Sequence, residues 1–194
     1  MQREMVINRA AAVMSEVVRG IEPVQAEAPT PCPDYNVRQL VNHLLFWAPS
    51  LAGAGRKEPV PPPAASYVEV DLTAGDWTAT LDAALSRVVA AWSDPAAWEG
   101  GTRLGGPDVM PAAMIGGMVC TELVIHGWDL ARATGQKPDW DEDVLAFAYT
   151  ELEATAEQGR QMGVYGPLVV VPASASTLER ALGLSGRDPA WSRY

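Results

Sequence analysis

The fold is decided by one long stretch, residues 110–135, which reads MPAAMIGGMVCTELVIHGWDLARATG. The pattern predicts a helix that begins near Met110 or Pro111 and runs to about Thr134. Gly135 ends it, because glycine readily takes the left-handed conformation that follows a helix. Residues at 3/4 spacing share one helix face, so this helix presents a mostly apolar stripe to a core. The apolar members of that stripe are Ile115, Met118 and Ile125.

Three polar residues, Glu122, His126 and Asp129, interrupt the apolar stripe. Glu122 and His126 are four residues apart, so their side chains can converge on one point. A carboxylate on a core-facing surface costs free energy unless something compensates its charge. A simple ion pair on a solvated face is the alternative interpretation of the Glu122–His126 spacing.

The chain has one other histidine, His43, in the predicted helix NVRQLVNHLLFWAPSLAGAG at residues 36–55. It follows Leu40 by three residues and precedes Trp47 by four, which places it on the core-facing side. Two histidines and a carboxylate would be compensated by a divalent ion, and three protein ligands with an open fourth position are typical of catalytic zinc. Spacing alone does not bring His43 to the other two, and a core histidine satisfied by hydrogen bonds is the alternative.

The rest of the chain predicts further helices joined by Pro- and Gly-rich connections. Asn36 and Gln39 have the spacing of a capping box at the start of the His43 helix. The Gly-rich stretch EGGTRLGGPD, residues 99–108, is expected to form two short strands or an irregular loop, and is a candidate lid near the site. The segment GPLVVVPAS, residues 166–174, reads as extended chain. The other expected helices span about residues 3–19, 73–93 and 141–162, with a short closing helix within 176–186.

This order of elements indicates an all-α four-helix bundle with an extra short C-terminal helix and an extended segment. The strand–helix alternation of a parallel sheet is absent. The 194 residues suit a single domain spanning 1–194.

The charge and the distribution of apolar residues argue against several classes of function. The net charge of −10, with no cluster of Lys or Arg, argues against nucleic-acid binding. The sequence contains no apolar run of about 20 residues, so it predicts no membrane span. The charged N-terminus does not resemble a signal peptide. We therefore expect a cytoplasmic protein. Its two cysteines, Cys32 and Cys120, are expected to be free thiols, with Cys32 a weak candidate for approaching the site.

Two segments carry a resemblance to a known family. The stretches TPCPDYNVRQLVNHLL and MVCTELVIHGWDLARATGQ resemble DinB/YfiT-like metalloenzymes, in particular the mycothiol-dependent maleylpyruvate isomerase N-terminal domain branch. The tail YGPLVVVPASASTLERALGLSGRDPAW resembles the end of related short, single-domain actinobacterial proteins described as metal-binding. The resemblance covers nearly the whole chain. It implies an up-down-down-up four-helix bundle with a metal ion held by His43, Glu122 and His126.

The resemblance also implies a chemistry. Relatives use mycothiol, a low-molecular-weight thiol, as cosubstrate, and a zinc ion would ionise that thiol to a nucleophile at neutral pH. The implied function is a metal-dependent, thiol-utilising transferase or isomerase acting on a small electrophile. The maleylpyruvate isomerase itself is expected to carry a further C-terminal domain for which this chain has no room, which favours a different electrophile.

Two further residues are candidates for catalysis. Asp129, one turn after His126, is expected to orient a ligand or a bound water, and an ion pair with Arg132 or Arg38 is the alternative. Arg38, five residues before His43, is a candidate for holding a substrate carboxylate at the mouth of the site.

Several alternatives stay open at this point. A His₂Glu set suits Zn²⁺, Ni²⁺ or Fe²⁺. A non-catalytic metal- or ligand-binding protein and a metal-dependent hydrolase, in which Asp129 or Glu122 assists as base, are the competing functions, and a purely structural helical dimer is the weakest. The expected partners are a small-molecule substrate and the thiol, in a monomer or homodimer.

Overall fold

The chain is all-α in a computed structural model that describes residues 3–193. Two-residue strands β1 (Gly101–Thr102) and β2 (Met110–Pro111) pair antiparallel, as expected for one of the two interpretations of the Gly-rich stretch. The helices are α1 (Arg3–Arg19), α2 (Val37–Gly55), α3 (Trp77–Trp92), α4 (Ala112–Thr134), α5 (Glu142–Gln161) and α6 (Thr177–Leu184).

Four helices form the bundle. Both α1 and α2 pack against α3 and α4, so each of the four has two bundle neighbours. Their apolar faces meet in one continuous core. Helix α5 lies outside the bundle against α4 and α1, and α6 packs on α5. The largest fully buried side chains include Trp92, Phe46, Ile7, Met14 and Leu40.

The ends of the helices follow local sequence signals. Helix α4 stops at Gly135, whose φ of 77° lies in the left-handed region. The third helix begins at Trp77 and not at Thr73, because the Asp76 carboxylate accepts from the backbone N–H of Ala79 and caps the helix there. The segment 166–174, expected to be extended chain, forms no helix or strand and ends in a turn at residues 173–174. The Val169 N–H within it donates to Gly183 O at 3.0 Å.

The start of α2 matters most for the site, because it sets where His43 lies. The predicted capping box is confirmed: the backbone N–H of Gln39 donates to Asn36 Oδ1 at 2.8 Å, and the backbone N–H of Asn36 donates to Gln39 Oε1 at 2.9 Å.

Replacing Asn36 with alanine removes the side-chain acceptor at this helix start. We expect Asn36→Ala to lower the free energy of unfolding by about 1 kcal/mol, the usual cost of losing an N-cap. Urea unfolding followed by circular dichroism measures it. The matched control is Asn8→Ala, on the exposed surface of α1, and an equal effect at both positions would contradict the capping role.

Within residues 3–193, no helix is both long enough and apolar enough to cross a membrane.

Candidate metal centre

His43 points from α2 towards α4. Its side chain is 15% exposed, and Nε2 lies 3.6 Å from Glu122 Oε2. On the same helix the flanking residues Leu40 and Leu44 are buried, so His43 sits at the edge of the core as its spacing predicts. The expected meeting of His43 with Glu122 is therefore seen in the structure.

His126 approaches the same carboxylate from within α4. Its Nε2 lies 3.4 Å from Glu122 Oε2, and the ring centroids of the two histidines are 5.3 Å apart. One ligand atom from each of His43, Glu122 and His126 falls within 4.8 Å of the other two. The structure thus gathers the three predicted ligands into one cluster.

The donor set and its spacing fit a divalent ion. Imidazole nitrogen and carboxylate oxygen bind Zn²⁺ at about 2.1 Å, so two ligands of a tetrahedral ion lie about 3.4 Å apart. The two distances to Glu122 Oε2, 3.6 Å and 3.4 Å, are close to that separation. Three protein ligands leave a fourth position for a substrate or water.

The Nδ1 atom of each histidine, on the side of the ring away from Glu122, has its own partner. His126 Nδ1 lies 3.0 Å from Asp129 Oδ2, and because a carboxylate only accepts, Nδ1 carries the proton. His43 Nδ1 lies 3.2 Å from the Tyr35 hydroxyl. Both arrangements leave Nε2 facing Glu122, as in metal sites where outer hydrogen bonds orient the ligating histidines.

Asp129 is fully buried and receives a second partner that sequence reasoning missed. Arg187 Nη2 donates to Asp129 Oδ2 at 3.0 Å, and Arg187 Nε donates to Oδ1 at 3.4 Å. The expected alternative, an ion pair of Asp129 with Arg132 or Arg38, is wrong. Arg132 instead donates to Trp191 O and stacks on Trp128.

Arg187 lies 58 residues from Asp129, in the chain that follows α6. It is itself buried, and its Nη1 donates to Ser185 O at 3.0 Å. Burial acts to lower the pKa of Arg187, but Asp129, Cys32 and Glu122 together raise it above its ordinary value, so the guanidinium is charged. No spacing rule links an arginine in a C-terminal turn to a carboxylate in a distant helix, so only the docking of the tail reveals this pair.

Charges around the site keep Glu122 ionised. Burial would raise the pKa of the Glu122 carboxyl, but His126, His43 and Arg187 together lower it to about 2. Burial, followed by the neighbouring Tyr67 hydroxyl, raises the pKa of Tyr35 above its ordinary value, so the phenol beside His43 is neutral. The cluster therefore presents an anionic oxygen at neutral pH.

Two other features expected near the site, Arg38 and the Gly-rich stretch, are not part of the three-residue cluster. Arg38 donates to Glu27 Oε1 at 3.1 Å and to Thr73 Oγ1 at 3.3 Å, so these bonds do not go to the three-residue cluster. The β1–β2 hairpin is not a lid over the site, because the Thr102 hydroxyl donates to Ala54 O. Ala54 is about 16 Å further along α2 than the histidine, at about 1.5 Å per residue.

The cysteines are buried thiols. Burial raises the pKa of Cys32 to about 11. Cys32 is not a member of the three-residue cluster. Burial also raises the pKa of Cys120, which lies on α4 and is fully buried in the core of the protein.

A family model described as "Mycothiol maleylpyruvate isomerase N-terminal domain" matches residues 7–131. Two Mycobacterium tuberculosis proteins are similar in sequence: the uncharacterized protein Rv0738 of strain H37Rv and the uncharacterized protein MT0763 of strain CDC 1551. Each is 26% identical over 140 residues, which are 72% of this chain and 71% of the relative. The range that the family model matches, residues 7–131, contains His43, Glu122, His126 and Asp129, and leaves out Arg187.

Solved structures confirm the fold. A crystal structure of the mycothiol-dependent maleylpyruvate isomerase aligns with a TM-score of 0.67 at 15% identity, over 97% of this chain and 89% of that chain. A variant of that enzyme with one histidine replaced by alanine aligns with a TM-score of 0.60 at 16% identity, over 81% of this chain and 71% of that chain.

Proposed function

The chain belongs to the family of the mycothiol maleylpyruvate isomerase N-terminal domain, and from this premise we propose that it is a metal-dependent enzyme that uses a low-molecular-weight thiol. The thiol is mycothiol, and the reaction is an isomerisation or S-transfer on a small electrophile. The metal ligands are His43, Glu122 and His126. Zinc is the proposed ion, and Ni²⁺ and Fe²⁺ suit the same donors.

One observation carries the proposal: both histidine Nε2 atoms face the same Glu122 oxygen, at 3.6 Å and 3.4 Å. An ion pair alone would need one histidine beside the carboxylate and would leave the second unexplained. A shared ion explains why three costly polar side chains occupy one edge of the core. It also explains why both Nδ1 atoms are occupied by other partners.

The charges of the site's side chains, together with a divalent ion, would favour an anionic ligand. With both imidazoles neutral, as metal ligation requires, Glu122 and Asp129 carry two negative charges and Arg187 one positive charge, so these side chains sum to −1. A bound divalent ion would leave one positive charge, which favours the thiolate over the thiol at the open position. Asp129 holds the proton on His126 Nδ1 and keeps Nε2 free to ligate.

The two residues expected to assist catalysis take different roles. Asp129 is proposed to orient His126 and not to touch the substrate, because it is fully buried and bound to His126 and Arg187. Arg38 is proposed as the contact for a substrate carboxylate. Its side chain is 44% exposed and is bound to an exposed partner, Glu27, which a substrate could displace at little cost.

Metal content and thiol dependence test the proposal. We expect plasma mass spectrometry to find about one zinc per chain in the wild type. We expect Glu122→Gln to lose this zinc, because glutamine has the shape of the glutamate side chain but not its negative charge. Glu153→Gln is the matched control, since Glu153 binds the Tyr149 hydroxyl on the exposed side of α5. We expect the zinc-loaded protein to consume an unsaturated electrophile only when mycothiol is present.

The outcomes separate the candidate functions. A wild type that takes up no metal from added zinc would refute the metalloenzyme. Hydrolytic cleavage of a substrate that does not depend on thiol would instead identify a metal-dependent hydrolase. Stoichiometric metal without turnover on any thiol and electrophile would identify a non-catalytic binding protein.

A further inference from the structure

A short segment of chain, residues 67–72, lies against α2 beside the three-residue cluster of His43, Glu122 and His126, and we call it the Tyr67 segment. It follows the Pro-rich connection and precedes α3. One side chain, Asn42, binds it at three points. Asn42 Nδ2 donates to Tyr67 O and to Val70 O, both at 2.9 Å, and Asn42 Oδ1 accepts from the Leu72 N–H at 2.7 Å.

These three bonds use both donor hydrogens and the oxygen of the Asn42 amide. The connection before the segment is rich in proline and mostly exposed, so it offers few other backbone bonds to the bundle. Asn42 directly precedes His43 in α2. The segment is therefore tied to the bundle at the position next to a proposed ligand.

Tyr67 is the residue of the segment that reaches the site. Its ring packs edge-on against His43, with centroids 5.6 Å apart, and against Tyr35, with centroids 5.5 Å apart. Tyr35 also packs on His43 at 5.2 Å, and its hydroxyl lies 3.2 Å from His43 Nδ1. The imidazole of His43 is thus held by two tyrosines.

The two histidines of the cluster depend on different supports. His126 is oriented by a buried ion pair, Asp129 with Arg187. His43 is supported by the neutral phenol of Tyr35 and by the ring of Tyr67, which forms an aromatic wall beside it. Tyr67 is attached to α2 through Asn42. If this wall moved away, His43 would keep its position on the helix, but its ring could rotate more freely.

We infer that Asn42 is a positioning residue for the metal site: by holding the Tyr67 segment on α2, it keeps Tyr67 and Tyr35 against His43 and so aims His43 Nε2 at Glu122. The inference rests on the proposed function, because it assigns a support to one of the proposed ligands. It concerns orientation, and Asn42 itself contacts neither the ion nor the substrate.

Three variants test the inference. Asn42→Ala removes all three bonds, Tyr67→Ala removes the aromatic wall while keeping its backbone bonds, and Tyr35→Phe removes only the hydroxyl. The matched controls are Asn8→Ala on the exposed face of α1 and Tyr149→Phe on α5. Zinc affinity is measured by competition with a chelator, the Co²⁺-loaded proteins by visible absorption, and residues 67–72 by hydrogen exchange.

We expect each of the three variants to weaken zinc binding about 10-fold, the low end of the effect of losing an outer support of a metal ligand. We also expect an altered Co²⁺ spectrum, which a merely less stable protein with an intact site would not show. In Asn42→Ala the amides of the Tyr67 segment should exchange faster. The controls should match the wild type in all three measurements.

Two results would overturn the inference. One is wild-type zinc affinity and Co²⁺ spectrum in Asn42→Ala although its Tyr67 segment exchanges faster, because the segment would then not position His43. The other is unchanged exchange in Asn42→Ala, because Asn42 would then not hold the segment. If Asn42→Ala fails to fold, Asn42→Asp replaces it, since aspartate keeps the acceptor for Leu72 and loses both donors.

The wild type distinguishes this inference from the proposed function. A wild type that binds neither zinc nor Co²⁺ refutes both. A wild type that binds them while Asn42→Ala and Tyr67→Ala bind them equally well refutes only the role of Asn42.

Discussion

Replacing His43 with alanine is expected to weaken metal binding about 1,000-fold and leave the bundle folded. If a zinc site is worth about 12 kcal/mol and its three protein ligands share that equally, one ligand accounts for about 4 kcal/mol, or about a 1,000-fold rise in Kd. The helix should persist, because His43 lies at the edge of the core and its neighbours Leu40 and Leu44 stay buried. Chelator competition measures the Kd.

Thermal unfolding with and without zinc gives a second measurement of the same prediction. An ion that binds only the folded chain stabilises it, so the same zinc concentration should raise the Tm of the wild type more than that of His43→Ala. Arg38→Ala is the matched control on α2, because Arg38 lies in the first turn and bonds to Glu27 and Thr73. Retention of one tightly bound zinc by His43→Ala would rule out the three-ligand site.

Replacing Arg187 with methionine is expected to cost about 3–5 kcal/mol of unfolding free energy, the usual result of leaving one buried charge without its partner. Asp129 is fully buried and depends on Arg187 for two hydrogen bonds. His126 would remain as its other contact, so zinc affinity should fall as well, because the imidazole loses a rigid support. The midpoint of urea unfolding and the zinc Kd report the two effects separately.

A double-mutant cycle isolates the ion pair from other effects of the substitution. Asp129→Asn in the Arg187→Met background removes the unpaired charge, so the double variant should be more stable than Arg187→Met alone. Arg132→Met is a suitable control, since Arg132 bonds to the same C-terminal tail at Trp191 but carries no buried carboxylate with it. A loss of less than about 0.5 kcal/mol in Arg187→Met would show that Asp129 does not depend on it.

Much of the site could be predicted from local sequence because α4 carries two of its three ligands. The i, i+4 spacing of Glu122 and His126 fixes their proximity in any helix. The same reasoning correctly placed Asp129 one turn further, where it binds His126 Nδ1 at 3.0 Å. The capping box at Asn36 and the glycine at Gly135 were predictable for the same reason, since each involves residues within one turn of the chain.

Other features could not be predicted locally. The partner of Asp129 was expected on a nearby helix and is Arg187, in a tail with no regular element. The Gly-rich hairpin was expected near the site and packs at the far end of α2, where Thr102 binds Ala54 O. The contact of Asn42 with the Tyr67 segment has no sequence signal, because an asparagine inside a helix gives no indication of which backbone it will bind.

The sequence by itself determined the helices, their caps, the faces they bury and the pairing of Glu122 with His126, because these depend on spacing within a single element. Only the tertiary structure decided that His43 meets that pair, that Arg187 docks on Asp129, and that the Tyr67 segment covers His43. The physical reason is that contacts between distant elements depend on how whole helices pack and where loops return, which is set by the sum of many weak apolar contacts spread over the core.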